Sequence, residues 1–139
     1  MNLKLVTLGG VKLDEAVYSV TIPTIDGEIS VLPSHEPLVT VAKDGVITVR
    51  RNKETQEEEF FAISGGVVEI DQTGVRILVD EADHGDDIIE AETQAALERA
   101  IAARDNADDQ IEREKAKQLI DRHMVRLKVA DLQRRKRRR

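Results

Sequence analysis

The residues able to do chemistry in this chain are few and scattered. Ser34 and His35 are adjacent, and neighbours on an extended backbone point to opposite faces, so they do not form a nucleophile–base pair. His35, His84 and His123 stand far apart, with no HExxH-type spacing that would bring two imidazoles to one metal. Asp83-His84-Gly85-Asp86-Asp87 is the densest run of potential metal ligands. It lacks the alternating ligands and the later glutamate of a calcium loop, and it reads as a solvated linker. Ser64-Gly65-Gly66 is too short for a phosphate loop and no lysine follows it, so it reads as a tight turn between strands. The chain has no cysteine, which excludes disulfides and thiolate metal sites. No catalytic set, cofactor or metal is expected.

What remains is charge. The sequence closes on RRKRRR, Arg134 to Arg139, although the whole chain has a formal net charge of -6. Residues 86–109 carry two basic and eight acidic side chains, whereas residues 110–139 carry twelve basic and four acidic ones. Arg113/Lys117 and Arg122/Arg126 are i,i+4 pairs, each placing two like charges on one helical face, which weakens an isolated helix slightly. By charge alone the basic arm suits a nucleic acid, a carboxylate-rich protein surface, or a solvated tail equally. Phosphate binding through counterion release is open to such an arm. Against it stand an acidic remainder and only three aromatic side chains, Tyr18, Phe60 and Phe61, for stacking on bases.

The elements that position these charges fall into two halves. From Leu3 to about Asp80, short β-branched runs such as NLKLVTL, AVYSVTI, GVITVRR and VRILVD alternate with turn residues at Gly9-Gly10, Asp26-Gly27, Asp44-Gly45, Gly65-Gly66 and Gln72-Thr73-Gly74. This pattern predicts an antiparallel β-sandwich or barrel. After Asp87 glycine and proline cease, and alanine and charged residues favour helix. Ile88, Ala91, Ala95 and Ala102 fall at helical spacing. A break is expected at Asp105–Asp108, with Asn106 closing one helix and Asp108 capping the next. The second helix is expected to pack through Ile111, Leu119, Ile120, Met124, Leu127 and Val129. The fold class is therefore α+β, an N-terminal sandwich over residues 1–85 and a C-terminal antiparallel two-helix hairpin over residues 86–139. Opposite net charge on the two helical arms should hold the hairpin together only loosely, since exposed pairs contribute roughly 0.2–1 kcal/mol each and are screened by salt.

The run GEISVLPSHEPL, Gly27 to Leu38, resembles the GELGILPGHAPL signature of the ATP synthase epsilon subunit. Phe61 to Ile70, FAISGGVVEI, is similar to that family's FAVSGGFLEV, and Val75 to Asp80 to its VTVLAD. The resemblance implies a non-catalytic central-stalk subunit of bacterial F-type ATP synthase, coupling rotation of the proton-driven c-ring to ATP synthesis. Its implied partners are the gamma subunit, the c-ring and the alpha and beta subunits, with no nucleic acid. It meets the membrane only through the complex, peripherally at the cytoplasmic face. Glu28 and His35 match positions linked to the c-ring contact. The implied regulatory role is inhibition of ATP hydrolysis by basic residues meeting an acidic motif on beta. Arg122 and Arg126 are the first candidates, followed by Arg134, Arg135 and Lys136. Where some relatives bind ATP through I/L-D-x-x-R-A, this chain has Ile89, Glu90, Thr93 and Gln94 in the motif positions, so the phosphate-facing arginine is lost and ATP binding is expected to be weak or absent. Ser30, Ser34 and Glu36 depart from the family's Gly, Gly and Ala.

Overall fold

The computed structural model describes residues 1–138; Arg139 lies outside the described residues. Eight strands come first: β1 (Asn2–Thr7), β2 (Gly10–Ala16), β3 (Ser19–Thr24), β4 (Gly27–Val31), β5 (Leu38–Ala42), β6 (Gly45–Arg50), β7 (Glu58–Ile70) and β8 (Gly74–His84). A 3-10 turn (Gly85–Asp87) leads into helices α1 (Glu90–Asp105) and α2 (Gln110–Arg137). The α+β architecture is the one the two periodicities predict. One pairing departs from the antiparallel expectation: β1 runs parallel to β8, with Leu5 opposite Ile77.

Gly65-Gly66 is not a turn. β7 runs unbroken for 13 residues through it. β6 pairs with the first part of β7, Gly45 opposite Ile63, and β5 with the second, Ala42 opposite Gly66. The glycines mark where β7 passes from one layer of the sandwich to the other. Buried positions change parity there, from Phe61 and Ile63 to Val68 and Ile70. β8 makes the same change, from Val75, Ile77 and Val79 to Ala82. A Cβ on Gly66 would lie 1.9 Å from the Leu78 carbonyl oxygen, so only glycine lets the two strands cross this closely. The Gly65 N–H donates to Asp44 Oδ1 at 2.7 Å, tying the β5–β6 turn to the crossing.

The helices also differ in detail from expectation. Asn106 ends α1, as the sequence suggests, its N–H reaching the Ala102 carbonyl. Asp109, not Asp108, caps α2 by accepting the Glu112 N–H at 2.8 Å, and the Glu112 carboxylate returns a bond to the Asp108 N–H. α1 buries Thr93 and Ala100, while Ala91, Ala95 and Ala102 are exposed. α2 buries Ala116, Ile120, Val129, Ala130 and Gln133, while Ile111, Leu119 and Met124 face solvent. Side-chain size misleads here because the seams are close-packed. Ile120 and Val129 are buried as expected, but alanines and a single glutamine fill the rest of the seam in place of Ile111, Leu119 and Met124.

Two separate apolar clusters result. The larger lies wholly inside the sandwich, centred on Leu3, Leu5, Val20, Ile22, Ile47, Val49, Val68 and Ile77. The smaller joins Phe60 and Ala62 of β7 to Val129 of α2, flanked by Val46, Ile88, Val125 and Leu132. α2 lies against β6, β7 and the 3-10 turn, and α1 packs on α2.

Candidate functional site

The seam between α2 and the sandwich is organised by charge. On a strand, residues i and i+2 share a face roughly 6.6–6.8 Å apart. On a helix, i and i+4 share a face about 6 Å apart along the axis. Glu81 and Asp83 of β8 and Arg122 and Arg126 of α2 meet on this common spacing. Arg122 Nη1 lies 3.7 Å from Glu81 Oε1, and Arg126 Nε lies 3.3 Å from Asp83 Oδ2. Further along, Arg137 Nη2 donates to Asp86 Oδ1 at 2.5 Å, and Gln133 Nε2 donates to the same oxygen at 2.8 Å. Arg134 closes the row with a two-oxygen contact to Glu90 at 2.7 and 2.8 Å and a bond to Asp131. Arg135 pairs with Asp131 at 3.1 Å, and Lys136 lines a groove with Phe60 and Leu132.

The run Asp83–Asp87 is therefore not a solvated linker. Its first part is the end of β8, and its carboxylates, with Glu81, form the rail on which the basic helix lies. Among the described residues no three His, Cys, Asp or Glu side chains gather to hold a metal. The attraction expected between an acidic α1 and a basic α2 is confined, among the described residues, to Arg134–Glu90; the other pairs of α2 go to β8, the 3-10 turn or its own Asp131. The Arg137 hydrogen bond holds the Asp86 carboxyl below the usual carboxylate range. A bidentate bond from Arg51, at 2.9 and 3.0 Å, does the same for Glu59. His84 stands between them, its Nε2 3.8 Å from Glu59 and its Nδ1 accepting the Asp86 N–H at 2.9 Å.

Two residues that the sequence left unmarked set the fit. Gly85 is buried beneath Gln133, and a Cβ there would come within 2.8 Å of Gln133 Oε1. Gln133 is only 5% exposed, an unusual place for an amide unless it is held, as here, by Asp86. The matched i,i+2 and i,i+4 spacings were the available signal for Glu81 and Asp83. Nothing local to Gly85 or Gln133 signals their partnership, since 48 positions separate them in sequence.

The other predicted residues lie elsewhere. Glu28 is exposed on β4, opposite Pro23 in register. His35 is half-buried in the loop between β4 and β5, its Nδ1–H donating to the Glu36 carbonyl at 2.7 Å. No hydrogen bond or ion pair joins Glu28 to His35 among the described residues. Beside His35, Ser34 takes a left-handed conformation, φ 67°, at a position where the resembling motif has glycine. At the head of α1, Ile89 is 57% exposed and makes no side-chain cap. Glu90 is occupied by Arg134, Thr93 is buried, and Gln94 is exposed.

A second surface lies on the opposite layer. Val41, Val67, Leu78, Val6 and Val11 are successive cross-strand partners on β5, β7, β8, β1 and β2. Four of these, all but Val6, are among the exposed large apolar residues, and Val39 beside them is 72% exposed. An apolar stripe in register across five strands is the kind of contiguous patch that marks an interaction face.

The fold and its two surfaces define a class: a β-sandwich that carries a helical hairpin by an ionic rail and keeps an apolar sheet face open. The family profile described as ATP synthase, Delta/Epsilon chain, beta-sandwich domain matches residues 1–85. The ATP synthase epsilon chain of Chloroflexus aggregans is 35% identical over 138 residues, covering 99% of this chain and 97% of its own. That of Herpetosiphon aurantiacus is 36% identical over 137 residues, covering 96% of each. A chain in the cryo-EM structure of Euglena gracilis mitochondrial ATP synthase, OSCP/F1/c-ring in rotational state 1, superposes with a TM-score of 0.76 at 29% identity, over 94% of this chain and 79% of that one. The chain belongs to the ATP synthase epsilon chain family.

Proposed function

We propose that this chain is a non-catalytic central-stalk subunit of a proton-driven F-type ATP synthase, and that its hairpin restrains ATP hydrolysis. Similarity to an epsilon chain, 35% identical over 99% of this chain, carries the stalk reading. The apolar stripe on β5, β7, β8, β1 and β2 suits the gamma subunit, and the loop carrying His35, with Glu28, suits a polar loop of the c-ring. No described helix is long and apolar enough to cross a membrane. Membrane association then runs through the ring, at the cytoplasmic face.

The regulatory reading rests on the rail. Arg122 and Arg126 sit on Glu81 and Asp83, so the cations proposed to meet an acidic region of beta are held by an acidic stand-in within the chain. Exchanging one set of carboxylates for another changes few contacts, which favours a two-position element. The same pairing weighs against a nucleic-acid role, because Arg122, Arg126, Arg134 and Arg137 are already neutralised by the chain's own carboxylates. ATP has little to hold it at the head of α1, where Glu90 already occupies Arg134 and Thr93 is buried. ATPase assay of the assembled enzyme with this chain cut after Asp87 tests the reading. Hydrolysis should rise while the complex stays assembled. Unchanged, measurable hydrolysis would remove the regulatory role.

A further inference from the structure

One turn of α2 gathers three buried nitrogen atoms without hydrogen-bond partners among the described residues: Arg122 Nε, His123 Nδ1 and Arg126 Nε. The two arginines keep their ion pairs to Glu81 and Asp83, but at 3.3 Å Arg126 Nε is off the angle a hydrogen bond requires. His123 therefore stands beside two guanidinium groups already paired with Glu81 and Asp83, while its own buried Nδ1 has no partner. α1 contributes Arg99 to its surroundings, α2 Arg126, and β8 the opposing carboxylate Glu81, with Asp83 beside it on Arg126. A neutral imidazole tolerates this place, because it can carry its proton on Nε2 and leave Nδ1 as a lone pair. An imidazolium cannot, because its Nδ1–H would point at no acceptor and its charge would join two arginines.

We infer that His123 is a proton-sensitive catch on the seam, neutral while α2 is docked on the sandwich and charged when the helix lifts. Burial first, then Arg126 and Arg99, hold the ring below its ordinary titration range, with Glu81 opposing. In the lifted state the ring is in water and takes a proton near pH ~6.5. Docking is thus at full strength above that pH and weakens as pH falls through it, because only the lifted state gains the proton. Aspartate and glutamate side chains ordinarily titrate near ~4, well below this range, and Arg137 holds Asp86 lower still. The window between about pH 5.5 and 7 therefore belongs to histidine. His84 lies near the carboxylates of Glu59 and Asp86, which attract its charge, but a proton on its Nδ1 would end the bond from the Asp86 N–H, so the two histidines are told apart by separate substitution.

The inference shares its seam with the regulatory reading but is tested without ATP hydrolysis, so either can fail alone. The full chain has no cysteine, and Leu8→Cys with Gln118→Cys gives unique sites for a fluorescent donor and acceptor on the sandwich and α2. Energy transfer is followed from pH 8 to pH 5.5. The lifted-to-docked ratio should rise with falling pH, by at most about tenfold per unit, the limit for one proton. His123→Gln should flatten the response and His84→Gln should leave it intact. His123→Lys, with a fixed charge, should be lifted even at pH 8. A flat response in the unsubstituted chain overturns the inference, as does an undiminished one in His123→Gln.

Discussion

At the scale of single residues, the closeness of α2 to the sandwich is decided by an absent side chain. Gly85 leaves room for Gln133, and any Cβ there presses on the amide that donates to Asp86. Gly85→Val should lift the end of α2 without touching the sandwich core. Amide exchange would then quicken across the last turns of α2 and stay slow in β7; slow exchange in α2 would mean that the contact yields instead. Ser34 is the opposite case, a side chain where none is wanted. Left-handed backbone costs a non-glycine residue roughly 1–2 kcal/mol, part of which glycine's greater freedom in the unfolded chain takes back. Ser34→Gly should raise the thermal midpoint by a few degrees. A lowered midpoint would mean that the serine side chain contributes more than its backbone loses.

At the scale of elements, the separation of the two apolar clusters implies separate stabilities. Val129 is fully buried, but in the small cluster beside Phe60 and Ala62, whereas Ile77 is fully buried inside the sandwich. Val129→Ala removes two methylene equivalents, about 1.5 kcal/mol, and should loosen the hairpin alone. Ile77→Ala should cost about 2–5 kcal/mol and lower the melting of the sandwich. Hydrogen exchange read element by element distinguishes them, and equal acceleration everywhere in Val129→Ala would show a single cooperative unit. The same division explains what the sequence could and could not disclose. Strands, turns and the break near Asn106 are written in local chemistry, and most are found where the residues put them. Gly65-Gly66 misled because glycine serves a close strand crossing as well as it serves a turn, and the two uses look alike along the chain. The packed faces of α1 and α2 misled because a helix with alanine on several sides takes its inner face from its partner, not from its own pattern. Asp83 to Asp87 misled because a carboxylate's neighbour across a seam is set by tertiary structure: Arg126 and Arg137 are remote in sequence, and only the matched spacing of Glu81/Asp83 and Arg122/Arg126 hinted at the pairing.

At the scale of the whole molecule, assembly and regulation occupy different surfaces, so they should be separable by substitution. The apolar stripe lies on the outer face of the layer containing β5 and β1; α2 lies against the outer face formed by β6 and the first part of β7. Val39 and Val41 are exposed, so Val39→Glu with Val41→Glu should leave the isolated chain folded. Buried against a partner, an unpaired carboxylate is strongly unfavourable, and the doubly substituted chain should no longer copurify with the gamma subunit. The rail variants should behave in the reverse manner. Glu81→Gln with Asp83→Asn removes the carboxylates but keeps Arg122 and Arg126, so these cations become free for another acidic surface. Assembly should be retained and hydrolysis inhibited more strongly. Arg122→Ala with Arg126→Ala removes the cations themselves, and hydrolysis should instead be released. Both pairs break the same two ion pairs, yet their effects on hydrolysis carry opposite signs. A purely structural seam predicts the same sign for both, since each loses equivalent contacts. Measuring steady-state ATP hydrolysis of the two assembled variants at low ionic strength, where screening is weakest, therefore decides whether the rail is a holding site for an inhibitory helix or only a fastening between two parts of one subunit.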